Sequence, residues 1–353
     1  MRSNDQRQFV QIVSQKSFGN KNMAEYKNGL TDVPGILVGH QQDMEGYSGV
    51  TVILPPKGSI GGVDQRGGAP GTRETDALRP MHLVDQINAV VLAGGSAFGL
   101  DASSGVMKYL SERKIGVNTG VKHVPIVSSA VIFDLPFGNP DAFATAEMGY
   151  QACQLANNGR IEQGNVGVGT GATVGKIFGM KQAMKSGIGT ASVILNNNLV
   201  VSALMVVNAF GDIVNPDGSI LAGARSFTLA GKQMGEGEIF ANTLKTMNSF
   251  IGKNILNFAM KQNTVIGVVA SNAKLTTEEV NKVAQMAHNG IGKSISPAHT
   301  MLDGDTIFSI ATQQKKADVN LVGAYAAEMV QQAIYNAVNA AEVCDSLPSV
   351  SSI

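Results

Sequence analysis

Thr264 sits where a polar step, Gln262-Asn263-Thr264, meets Val265-Ile266-Gly267-Val268-Val269, a run that reads as a fully buried strand. A β-branched residue at the head of an internal strand, after an Asn suited to a turn, explains this pattern structurally. The chemical reading is that the chain is cut between Asn263 and Thr264, which makes Thr264 a new N-terminus. A Thr hydroxyl is a poor nucleophile at neutral pH unless a base takes its proton. A free α-amine, with an unperturbed pKa of ~7.7–8.0, suits that work and exists only after the cut. An internal position would thus act as a latch, with one hydroxyl serving both self-cleavage and the later attack on a substrate amide.

Three other places carry candidate chemistry. Asp303-Gly304-Asp305 is an acidic pair on a turn. Alone it reads as a solvated turn, but next to an N-terminal Thr a carboxylate would orient the amine and hold its charge. The segment GNVGVGTGATVGK, 164–176, is neither of the nucleotide motifs it suggests. Thr170 and Ile177 break the P-loop frame, and Gly167-x-Gly169 with Ala172 leads to no evident helix or acidic residue. Its one charge, Lys176, is by default a solvated side chain and otherwise a functional one. Ser96 in LAGGSAFG looks like a nucleophile elbow, but Phe98 stands where the second Gly belongs, and a Ser capping a tight strand-to-helix turn is the simpler reading.

The composition narrows the function class. With 353 residues, 44% of them hydrophobic, the chain can bury a large core, and 27 basic against 27 acidic residues argue against nucleic acid as a partner. Only 15% of residues are charged and 41 are Gly, which hints at surface hidden between subunits. Cys153 and Cys344 fall in segments that read as helical, with no neighbours at metal-ligand spacing, and His40, His82, His123, His288 and His299 are scattered. No metal site or cofactor is expected, and the catalyst is sought elsewhere. The polar opening residues lack a signal-peptide core, and no uninterrupted apolar stretch reaches ~18 residues, so a cytoplasmic protein with no membrane partner is expected. Residues 1–28 read as a flexible arm, with Met23 as an alternative start.

The elements that must position these residues follow from the pattern of apolar runs. ILVGH, GVTVIL and NAVVLAGG read as strands, followed by helices over AFGLDASSGVMKYLSERK and DAFATAEMGYQACQLANN. GTASVILNNN and LVVSALMVVN read as two more strands, and NPDG at 215–218 as a turn. Residues 223–262 show no clean period and read as a connector. Beyond Thr264 a β-α-β-α unit is expected: a strand to Ala270, a helix opened by the capping box Thr276-x-x-Glu279, the strand DTIFSIAT, and a long helix from Val319. No internal sequence repeat is evident.

VDQRGGAPGTRETDAL (63–78), VVLAGGSAFGLDASSGVM (90–107), VPIVSSAVIFDL (124–135), GNVGVGTGATVGK, VVNAFGDI (206–213) and NTVIGVVASNAKLT with AHTMLDGDTIFSIAT occur in register. From about Gly29 to Glu342 the chain resembles the L-aminopeptidase/D-esterase family, which also holds β-peptidyl aminopeptidases and endo-type 6-aminohexanoate-oligomer (nylon oligomer) hydrolases. The resemblance implies an α+β fold, an αββα sandwich of the N-terminal-nucleophile kind, cut into fragments 29–263 and 264–353 of one catalytic domain. It implies Thr264 as nucleophile with cleavage after Asn263, Asp303 and Asp305 beside it, Lys176 assisting, and Asn208 in the oxyanion site. Thr rather than Ser at the cut, and the Asp303-Gly304-Asp305 triplet, look like the nylon oligomer hydrolase branch. Phe133 departs from that branch, where a Tyr stands, and adjacent Asp134 offers an anchor for a substrate ammonium, with Ser96 near the same pocket. The expected substrate is a small molecule, peptide or amide oligomer, and the expected assembly a homo-oligomer, by resemblance a tetramer of processed pairs. The alternatives are an aminopeptidase, an acyltransferase like the ornithine acetyltransferases, and a non-catalytic binding protein.

Overall fold

Ten strands form two sheets that face each other, and their polar and apolar residues sort by layer. The computed structural model describes residues 26–229, 231–249 and 263–353. Strands β1 (Leu37–Asp43), β2 (Ser48–Leu54), β3 (Ile60–Gln65), β4 (Thr72–Arg73), β5 (Ala89–Ala93) and β6 (Val127–Val131) come from the first part of the chain. The later strands are β7 (Ile188–Ile194), β8 (Val200–Asn208), β9 (Thr264–Lys274) and β10 (Thr306–Lys316). The first sheet runs β1-β2-β5-β6-β4 and the second β7-β8-β9-β10-β3. In each, the only parallel pair is the third with the fourth strand, β5 with β6 and β9 with β10.

A helix bridges each parallel pair, as parallel pairing requires. Helix α1 (Ala102–Glu112) lies between β5 and β6 and α3 (Thr277–Ser294) between β9 and β10. Helices α2 (Ala146–Leu155) and α4 (Val319–Asn339) follow β6 and β10 and pack against α1 and α3. The inner layer joins the sheets through Ile53, Val90 and Leu92 on one side and Leu204, Ile266, Val268 and Phe308 on the other. Outside it, α1 and α2 cover the first sheet with Val106, Leu110 and Ala152, while α3 and α4 cover the second with Val283, Ala287, Val330 and Ile334. Burying each large aliphatic side chain contributes roughly 1.5–3 kcal/mol, so the inner layer holds the sheets in fixed register. This is the expected αββα sandwich.

The capping box forms as read: the Thr276 hydroxyl accepts the Glu279 N–H (3.3 Å) and the Glu279 carboxylate accepts the Thr276 N–H (2.9 Å). Several expectations need correction. Ser96 does not cap its helix; Gly95 holds the N-cap position of a 3-10 turn, Ser96–Asp101, and Ser96 itself has φ 54°. The connector is partly regular, with a hairpin (Phe227–Leu229 with Lys232–Met234) and a short helix, Thr243–Asn248. Cys344 lies past the end of α4, in a turn paired with Leu347. Residues 1–25 of the expected arm, including Met23, lie outside the described residues, whereas Tyr26 and Asn28 are fastened to β7 through the Ser192 carbonyl (2.6 Å) and N–H (3.2 Å). Among the described residues no helix is long and apolar enough to cross a membrane.

Candidate active site

Thr264 opens β9, and antiparallel pairing sets it opposite Asn208, the last residue of β8. Both are buried, at 3% and 0% exposure. The peptide bond before Thr264 is held from the other side. The Asn263 N–H donates to the Leu302 carbonyl (2.7 Å), and the Asn263 carbonyl accepts the Gly304 N–H (2.7 Å), which makes a one-residue parallel bridge to Asp303. A backbone N–H therefore already points at the carbonyl that a cut before Thr264 would attack. Glycine is needed between the two aspartates, since a Cβ on Gly304 would stand 2.3 Å from the Ala69 carbonyl oxygen. Among the described residues the Thr264 hydroxyl has no hydrogen-bond partner.

Both aspartates are buried, so the acidic pair is no solvated turn. Asp305 accepts the Val265 N–H on Oδ1 (2.8 Å), one residue past the nucleophile position, and His299 Nδ1 (2.7 Å) and N–H (3.2 Å) on Oδ2. Asp303 accepts the Thr300 hydroxyl (2.6 Å) and N–H (2.9 Å). Burial pushes the Asp303 carboxyl up to about 6, the Asp305 charge adds to the rise, and the Thr300 and Phe210 donors oppose it.

Lys176 is buried rather than solvated, and its Nζ donates to Asn208 Oδ1 (2.6 Å) and to the Asn208 carbonyl (3.1 Å). Asn208 Oδ1 also accepts the Thr173 N–H (3.2 Å), which fixes the amide orientation, and Nδ2 donates to the Phe133 carbonyl (3.0 Å). One N–H of Nδ2 remains for another acceptor. Loss of hydration brings the Lys176 amine down to about 7, with Asp303 and Asp134 pulling it partly back up. An amine in that range exchanges protons near neutral pH.

Phe133, Asp134, Pro136, Phe137, Thr173, Lys176, Met180 and Asn263 enclose a cleft of about 10 Å³, room for one water. Asp134 accepts the Ser48 hydroxyl (2.9 Å) and the Gly95 N–H (2.6 Å), and burial pushes its carboxyl up to about 6 against those donors and Lys176. Ser96, half-buried, follows Gly95 and donates its N–H to the Ile132 carbonyl (2.9 Å), so it borders this corner without lining the cleft. A more open depression, about 580 Å³ between Asn196, Lys315 and Tyr325, lies at the far end of β9 and contains none of these residues.

All five residues read as catalytic thus meet at one end of the second sheet. Sequence reasoning missed His299, which was set aside among scattered histidines, although its place six residues before Asp305 was the available signal. It also missed the Gly304 N–H and the Leu302 carbonyl, because backbone groups leave no side-chain trace.

Comparison with known proteins agrees with this architecture. An uncharacterized aminopeptidase of Mycobacterium tuberculosis is 43% identical over 295 residues, covering 81% of each chain. A 6-aminohexanoate-oligomer endohydrolase of a Kocuria species is 31% identical over 286 residues, 80% of this chain and 74% of its own. Among solved structures, the L-aminopeptidase D-Ala-esterase/amidase of Ochrobactrum anthropi, described as a variant of the Ntn hydrolase fold, superposes with a TM-score of 0.66 at 19% identity, covering 95% of this chain and 93% of its own. A Burkholderia β-aminopeptidase gives 0.64 at 19% identity over 91% and 89%. The family model for peptidase family S58 matches residues 28–348. With that match across the αββα sandwich and its buried Lys, Asn and Asp cluster, the chain belongs to peptidase family S58 and is a hydrolase of amide bonds.

Proposed function

We propose that this hydrolase cuts itself between Asn263 and Thr264 and then uses Thr264 as an N-terminal nucleophile. The observation that carries the proposal is the buried Asn263–Thr264 peptide, whose carbonyl accepts the Gly304 N–H at 2.7 Å. In the uncut chain the Thr264 nitrogen is an amide and cannot act as a base. Lys176, its amine brought down to about 7, takes the hydroxyl proton directly or through water. Oγ bonds to the Asn263 carbonyl carbon, the oxyanion forms on the oxygen that Gly304 holds, and the C–N bond breaks as a proton reaches the nitrogen. The product is an ester on Oγ and a free Thr264 amine. Water then splits the ester and leaves an Asn263 carboxylate and a Thr264 hydroxyl.

In the matured enzyme the Thr264 amine is the base, and Asp303 and Asp305 hold its position. The spare Asn208 N–H serves the substrate oxyanion, and Lys176 stabilises the developing charge. The substrate is a peptide or amide oligomer, in keeping with relatives named aminopeptidase and oligomer endohydrolase. Asp134 favours a second reading, exo action, because a buried carboxylate on the cleft can hold a substrate ammonium. A preference for free over acetylated N-termini that is lost in Asp134→Asn selects it, and equal cleavage of both selects endo action. Exposed Met81 and Leu83 support assembly into a homo-oligomer. The test of the nucleophile is substitution: Thr264→Ala stays whole and inactive, Thr264→Ser still cuts. An active, uncut Thr264→Ala protein contradicts the proposal.

A further inference from the structure

Thr264 and Val265 form the end of β9 that the parallel ladder with β10 does not cover, since that ladder begins at Ile266 and Thr306. A strand end without partners on one side frays, and a carboxylate can stand in for the missing rung. Asp305 does so, its Oδ1 taking the Val265 N–H at 2.8 Å. The main chain of Asp305 is pinned by the Arg66 N–H on its carbonyl (2.7 Å), so the place of Oδ1 turns on how the side chain is held. His299 holds it: its backbone N–H (3.2 Å) and its Nδ1 (2.7 Å) both donate to Oδ2. The imidazole in turn stands at 67° against the ring of His288, with 5.0 Å between centroids, and His288 is fixed by donating from Nε2 to the Asp64 carbonyl (3.0 Å). His299 also keeps a φ of 56°, a left-handed conformation that costs a side chain of this size and that gathers at functional sites.

The cut changes how much depends on this contact. In the uncut chain Asn263 is bonded on both sides of its α-carbon, to the Leu302 carbonyl and the Gly304 N–H, and so keeps Thr264 in line from upstream. Once the bond before Thr264 is broken that tether is gone, and on the β10 side the Asp305 rung is the last one holding the new terminus among the described residues. We propose that His299 is a positioning residue of the matured enzyme: by locking Asp305 it keeps the Thr264 end of β9 on the ladder, opposite Asn208. This rests on the reading of Thr264 as nucleophile. Among the described residues no hydrogen bond joins His299 to Thr264 itself, so His299 acts through Asp305 and not as a base.

The test compares His299→Gly and His299→Asn with wild type, all matured. Gly deletes the side chain and accepts the left-handed backbone freely; Asn tolerates it too and returns an N–H donor near the place of Nδ1. Hydrogen exchange of the Val265 amide is followed by mass spectrometry, and kcat and KM are measured on alanine p-nitroanilide. His299→Gly is expected to speed exchange by about tenfold or more and to lower kcat by a similar factor, with less change in KM and a smaller slowing of self-cleavage. His299→Asn should bring both back toward wild type. Exchange in His299→Gly as slow as in wild type, or an Asn variant no better than the Gly one, overturns the assignment. If the Gly chain does not fold, His299→Asp replaces it as a match for the shape of Asn without the donor, and equal exchange in the Asn and Asp variants overturns it likewise. N-terminal sequencing of the same samples separates the two claims. Thr264 at the N-terminus with unaltered exchange sinks only this inference, whereas active enzyme lacking that N-terminus sinks the nucleophile as well.

Discussion

In the first sheet the central strand β5 begins at Ala89, after Asn88, beside the end of β2 at Leu54; in the second its counterpart β9 begins at Thr264, after Asn263, beside the end of β8 at Asn208. The pairing order is the same, and so is the helix that follows. Their local bonds differ. Asn88 gives its N–H to the Ile126 carbonyl (2.9 Å) and takes the Ile126 N–H on Oδ1 (2.8 Å), so its side chain is a bracket to the neighbouring strand. Asn263 makes its bonds with backbone alone, and its side chain is left in the cleft. Ahead of β6 stand Val124-Pro125-Ile126; ahead of β10 stand Asp303-Gly304-Asp305. The duplicated frame supplies a buried strand end twice, and only the second is furnished with a hydroxyl, an amine and carboxylates. Fold provides the place, and residue type decides whether chemistry happens there.

Removing the amine should have the largest effect on this difference. Lys176→Met is expected to slow self-cleavage by about 10²–10⁴-fold, the usual contribution of a positioned base. In the wild type the rate should fall as pH drops through about 7, where Lys176 takes up its proton, and fall further below about 6 as Asp303 is neutralised. Quantifying uncut chain on gels between pH 5 and 9 checks both. A wild-type rate independent of pH would separate Lys176 from the step.

Asn208→Leu copies the Leu54 end of the first sheet. It should lower kcat of matured enzyme by about 10²–10³-fold, with a smaller change in KM, since the donor is used in the transition state. Normal turnover in this variant would mean that Gly304 alone serves the oxyanion.

The reverse graft, Ala89→Thr, should produce no cut after Asn88 in an intact-mass spectrum, because no lysine amine is placed there among the described residues, although the Glu74 carboxylate accepts the N–H of Val127 opposite Ala89 (3.2 Å). Ala89 is fully buried, so the added atoms should cost about 1–3 kcal/mol in denaturant unfolding. Smallest of all, Thr276→Ala removes the cap of α3 and should cost about 1 kcal/mol without altering the cleavage rate.

The parts of this contrast that the sequence displayed are those with local causes. The Thr276–Glu279 box and the Val265–Val269 run depend on near neighbours in the chain, and α3 and β9 follow from them. Strand β3, Ile60–Gln65, carries no local strand signal because IGGVDQ has two glycines and its partner β10 lies more than 240 residues away. Strand β6 hid in VSSAV, where two buried serines erase the apolar signal. Burial of Lys176 and Asp305 is equally non-local, since Asn208 holds the first and the Val265 N–H the second across segments, whereas Asp303 is bonded within its own turn by Thr300. Family motifs identified these residues, but only the fold brings His299 onto Asp305 and the Gly304 N–H onto the Asn263 carbonyl.

The central claim is that the buried Asn263–Thr264 bond breaks without any other protein. Purified chain, with Thr264→Ala as its partner sample, is incubated at neutral pH and followed by intact-mass spectrometry. The account predicts that the wild type resolves into residues 264–353, beginning at Thr264, and a complementary fragment ending at Asn263, while the variant keeps its full mass. A wild-type chain that hydrolyses amides yet stays whole, or that is cut at any other bond, would contradict it.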